Sequence, residues 1–168
     1  MTGLIRLGAI CATIGGALRI ATAFIPYRAE SVWLEALYGV VDICLMLGLI
    51  AIYLTFSDRL ARMGLAGFVI ALIGIASIVG PDPVAFGINF YELGALTMLG
   101  GVSIMAIAML RARVQPNVAM LWLGSSGLVA VGAVTATAAP IALSGITLGA
   151  GFMAVGRSLL TERPAGPT

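Results

Sequence analysis

Four polar residues stand inside apolar runs at spacings that could bring them together. Arg19 lies in LIRLGAICATIGGALRIATAFIP, and Glu35, Tyr38 and Asp42 lie in WLEALYGVVD. At about 3.6 residues per turn, positions 35, 38 and 42 share one face of a helix. Two acids and a phenol on one stripe, opposed by a guanidinium, are the parts of a proton-transfer site. The roles expected are Asp42 as the acid, Glu35 as the base or charge partner, Arg19 as the orienting cation and Tyr38 as a hydrogen-bond donor. The residues around Arg19 are small (Ala12, Gly15, Gly16, Thr22, Ala23), which leaves a guanidinium room against a neighbouring helix.

The same composition excludes other chemistries. There is no His, so the usual imidazole-based zinc and haem sites are ruled out. There is no HExxH, CxxC, GxSxG or glycine-rich phosphate loop. No metal and no cofactor is therefore expected. The two cysteines, Cys11 and Cys44, lie in apolar runs and read as small buried hydrophobes. A net charge of +2 gives no reason to expect nucleic acid as a partner.

What must position the four residues is a set of membrane helices. Of 168 residues, 61% are hydrophobic and 10% charged, and the mean hydropathy is +1.12. A soluble domain runs near ~45–50% apolar and ~25% charged. A crossing needs roughly 20 predominantly apolar residues. Six stretches qualify: 4–25, 32–56, 60–79, 88–110, 118–139 and 141–160. IPYRAES, FSDR, GPDP, RARVQPN and AAP separate them, the last at Pro140 being the weakest break. The expected fold is all-α: one polytopic bundle over residues 1–168, with six crossings as three consecutive hairpins. The expected location is a bacterial inner (cytoplasmic) membrane.

Arginine placement gives an independent count. With six crossings Arg6, Arg59, Arg62, Arg111, Arg113, Arg157 and Arg163 all fall on one side, and Arg28 faces the other. The positive-inside rule then makes both termini cytoplasmic. Ala21-Thr22-Ala23 resembles a signal-peptide cleavage site, but Arg19 interrupts the apolar region such a peptide requires.

Leu4-x-Arg6-x-Gly8 recurs as Leu60-x-Arg62-x-Gly64, and Glu92 echoes Glu35, a period of about 56 residues. Gly67 and Gly74, Gly94 and Gly101, and Gly145 and Gly149 mark faces for close helix packing. The last pair, a GxxxG, is also a candidate homodimer contact.

In this arrangement Glu35 lies about 5 Å and Asp42 about 15 Å in from the outer end of the second span, with Arg19 between them in depth. Glu92, Asn89, Tyr91 and Trp33, with Tyr27 and Arg28, would form the mouth of a pocket between the first, second and fourth spans. Its occupant would be an apolar or amphipathic small molecule drawn from the bilayer, with isomerase- or cyclase-type acid–base chemistry in view. Two other readings compete. A small proton-coupled transporter would use the same residues as a relay, but needs a polar path to the inner face. An accessory subunit would use the charges only as a structural clasp.

Overall fold

The computed structural model describes residues 3–25, 31–79, 84–85 and 88–161. Five helices carry the chain: α1 (Gly3–Thr22), α2 (Val32–Ile78), α3 (Phe90–Arg111), α4 (Pro116–Thr135) and α5 (Ala138–Thr161). All five are long and apolar enough to cross a membrane. Between α2 and α3, β1 (Val84–Ala85) and β2 (Ile88–Asn89) pair as a two-residue antiparallel ladder.

The five helices differ from the six expected segments at one place. FSDR is not a loop, because helix α2 runs straight through Ser57, Asp58 and Arg59. The departure comes at Ala61, whose φ of 51° and ψ of −161° are non-helical. The rings of Tyr53 and Phe68 stack across it, centroids 4.4 Å apart and planes 9° from parallel. A straight helix would separate those residues by about 22 Å at ~1.5 Å per residue. The chain therefore folds back at Ala61, and α2 has two arms. Ala61 occupies a region of backbone space that glycine alone enters freely.

A second boundary also moves. The chain leaves α4 at Ala136, in the left-handed conformation (φ 52°), and Pro140 falls in the first turn of α5 instead of between helices. A first-turn proline costs little, since the early N–H groups of a helix have no partner inside it.

The helices pack as a closed circuit in which α1 lies on α2 and α5, α5 on α4, α4 on α3, and α3 on α2. Glycine makes the close approaches. On the α1–α2 side, a Cβ added to Gly8 would meet the Leu47 carbonyl oxygen at 2.6 Å, and one on Gly48 would meet Ala12 Cβ at 2.8 Å. Between the C-terminal arm of α2 and α3, one on Gly67 would meet Met105 N at 2.5 Å. Helix α1 buries Gly8, Ala9, Ala12, Gly15, Gly16 and Thr22 while exposing Leu4, Leu7, Ile10 and Ile14. That is the pattern of a helix whose outer face meets lipid and whose inner face meets backbone.

Neighbouring glycines test this packing. A Cβ on Gly101 would collide with the Ala71 backbone, whereas one on Gly100 would meet nothing within 4 Å. Gly101→Ala is expected to lower stability by about 2–3 kcal/mol through overpacking. Gly100→Ala is expected to be neutral or to gain up to about 1 kcal/mol from helix propensity. Unfolding of the two variants in detergent reads the difference, and equal behaviour would rule out the close contact.

Candidate functional site

Helices α1 and the N-terminal arm of α2 run antiparallel, and their register sets the level of the two central residues. Gly8 faces Leu47 and Ala51, Ala12 faces Gly48, and Gly15 faces Cys44 and Leu45. One turn further along α1 is Arg19, and just before Cys44 on α2 is Asp42. The register therefore brings Arg19 and Asp42 to the same end of this interface. Both are half-buried.

The third wall is α5. A Cβ on Gly145 would lie 3.5 Å from Nε and Nη2 of Arg19, and one on Gly149 would lie 3.2 Å from its Cβ. The guanidinium thus rests against bare α5 backbone. The GxxxG pair of the last helix is buried within the chain against α1, with Gly149 also set on the Gly16 carbonyl.

The remaining residues of the expected stripe lie nearer the end of α2. Tyr38 is half-buried, and Glu35 is exposed in the first turn. Of the expected mouth, Trp33, Tyr91, Glu92 and Asn89 are all exposed. Asn89 also has a structural task as the N-cap of α3, its Oδ1 accepting the Glu92 N–H at 3.3 Å. Tyr27 and Arg28 lie outside the described residues. The structure groups Arg19 and Asp42 with α5, whereas Glu92, Asn89 and Tyr91 belong to α3, which packs on the other arm of α2 and on α4. Among the described residues, no group of three or more His, Cys, Asp or Glu is placed to hold a metal ion.

On the far side of the circuit, serines join the helices in a polar seam. Ser103 and Ser126 share a hydrogen bond of 2.7 Å between α3 and α4. The Ser125 hydroxyl donates to the Ser144 carbonyl of α5 at 2.9 Å. Beside them Trp122 is fully buried against Phe152, and its Nε1 has no hydrogen-bond partner. The adjacent serines 125 and 126 were the available signal. Such hydroxyls normally satisfy themselves on their own helix, so their cross-helix pairing is not written in the local sequence.

The internal repeat bears on what the charge pair is for. The second hairpin, made by the C-terminal arm of α2 with α3, repeats the close packing of the first, with Gly67 and Ala71 against Gly101 and Met105. Matching Gly8 to Gly64 and Glu35 to Glu92 puts Ile75 in the place of Arg19 and Leu99 in that of Asp42. Ile75 is a buried core residue and Leu99 packs against the core. A hairpin of this design therefore closes with aliphatic side chains at both positions.

In comparisons with known proteins, the chain matches no family model, no curated protein and no solved structure.

The repeat predicts how the pair responds to substitution. Arg19→Leu or Asp42→Leu alone strands the opposite charge and should cost about 1–3 kcal/mol. The double substitution should return to within about 1 kcal/mol of the parent. Thermal unfolding of all four proteins in one detergent measures this, and a double variant worse than either single one would refute it.

Proposed function

We propose that this protein is a six-crossing integral membrane protein whose Arg19–Asp42 pair binds the polar head of an apolar or amphipathic small molecule entering from the non-cytoplasmic leaflet. The two arms of α2 count as separate crossings, joined at Ala61, which restores three hairpins and places both termini in the cytoplasm. The setting we favour is a bacterial inner membrane. The observation that carries the binding reading is the second hairpin, which has Ile75 and Leu99 at the matched positions. Carrying a charge pair in lipid is costly, about 2.5–3.5 kcal/mol per ionic group on insertion scales. A hairpin that does not need the pair for closure has it for another purpose.

A guanidinium and a carboxylate at the same end of two facing helices offer donors and an acceptor to one ligand. A ligand head that both accepts and donates hydrogen bonds fits them, with its apolar part along the lipid-facing helices. Asp42 and Arg19 also have the polarity for acid–base rearrangement of such a molecule, with Tyr38 and Glu35 on the same stripe toward the outer end. Transport is the weaker reading. Toward the cytoplasmic end, the α1–α2 interface narrows to Gly8, Ala12, Gly48 and Ala51, which are apolar and in close contact.

Two measurements test this. Single cysteines placed at Asp58 and at Ala136, in a background with Cys11 and Cys44 replaced by Ala, should be labelled from opposite faces of the membrane by an impermeant maleimide. Labelling of both from one face would exclude the six-crossing arrangement. Native mass spectrometry of the purified protein should show a co-purifying amphipathic molecule that is lost from the folded Arg19→Leu/Asp42→Leu protein. An unchanged adduct in that variant would remove the pair from the binding site.

A further inference from the structure

The bend of α2 and the turn between α3 and α4 meet at one end of the bundle, and arginine dominates the junction. Arg59 Nη2 donates to the Ala112 carbonyl at 3.2 Å, where α3 ends. In return Arg111 Nη1 reaches Met63 Sδ at 3.6 Å, just past the bend. These two contacts latch the turns together, and Arg62 and Arg113 are the chain neighbours of Met63 and Ala112. All four arginines are exposed, and Asp58 is the acid on the same stretch of α2. Three residues with positive φ lie in this junction: Ala61 (51°), Arg113 (53°) and Gln115 (45°). Strained backbone of this kind persists where the surrounding structure holds it in place.

We infer that this four-arginine junction binds the phosphate headgroup of an anionic phospholipid in the adjoining leaflet. Topology alone needs only positive charge, and lysine would supply it. The chain instead has nine cations and all of them are arginine. Arginine presents a planar fork that grips phosphate oxygens in pairs, which a lysine ammonium does not. Two of the guanidiniums are held by the latch, so Arg62 and Arg113 are presented on a fixed base. At the end of a membrane bundle, the phosphates within reach are those of lipid headgroups. This surface is separate from the Arg19–Asp42 site, and either proposal can fail without the other.

The test is thermal unfolding of the full chain in a neutral detergent, with added dioleoylphosphatidylglycerol, dioleoylphosphatidylcholine or inorganic phosphate. Phosphatidylglycerol is expected to raise the midpoint by roughly 5 °C at saturation. Phosphatidylcholine and inorganic phosphate at equal concentration are expected to give less than about a third of that gain, and molar salt to erase it. Arg62→Gln/Arg113→Gln should unfold as the parent does without lipid and lose the gain. Arg6→Gln/Arg157→Gln, at the α1–α5 side, should keep it. The proposal is overturned if phosphatidylcholine matches phosphatidylglycerol, if inorganic phosphate reproduces the whole gain, if no gain occurs, or if the gain survives in Arg62→Gln/Arg113→Gln.

Discussion

Lipid gives helices no hydrophobic reason to leave it for one another, so a membrane bundle holds through close packing of backbone on backbone. In this chain that constraint is met by glycine in three interfaces. Gly8, Gly15 and Gly48 close α1 on α2; Gly67, Gly74 and Gly101 close α2 on α3; Gly16, Gly149 and Gly156 close α1 on α5. Each removes a side chain where a neighbouring backbone has to pass. Away from these contacts Leu7, Ile14, Ile73 and Leu96 are exposed, while Trp122, Phe152, Leu45 and Met105 fill the interior. The site follows from the same geometry. Arg19 lies where α1, α2 and α5 converge, with its head beside Gly145.

Most of the helical segments could be read from the sequence because crossing a bilayer demands a long apolar run, and length and composition are local properties. What escaped was where the chain turns. FSDR carries a serine, an aspartate and an arginine, ordinary signs of a loop, yet the helix continues through them and breaks at Ala61. Alanine is the best helix former and carries no local signal for a positive φ. The reverse happened at Pro140, where a strong breaker was accommodated in the first turn of α5 and the chain turned at Ala136 instead. Both departures come from packing between distant segments overriding local preference.

How the candidate residues are disposed on their helices was legible to a similar degree and for similar reasons. Helical periodicity put Glu35, Tyr38 and Asp42 on one stripe, and the hairpin brought Arg19 alongside. Periodicity does not say how deep a stripe runs into a bundle, and Glu35, in the first turn, is exposed while Asp42 is half-buried. Nor does it say which helix supplies the third wall. Sequence order suggested the helix of Glu92, whereas the circuit closes through α5, the last helix in the chain. The glycine pair Gly145 and Gly149 was visible as a packing motif, but a motif does not name its partner. Here the partner is α1, so the face is used inside the molecule.

Repetition within one chain makes a comparison that single-site reasoning lacks. The two helix pairs can be matched along the sequence and differ in what they carry at matched positions, a guanidinium and a carboxylate in one, Ile75 and Leu99 in the other. The aliphatic version shows the cheaper solution to the same packing problem, because burying well-fitted apolar groups is as good for stability as burying a charge pair, or better. A structural clasp would have to outperform a solution the chain already uses one hairpin away. The asymmetry also locates the specialisation. The charges lie on α1 and α2, and α5 lies against Arg19 at Gly145. The charged residues thus lie where α1, α2 and α5 meet, at the point where the circuit of helices closes.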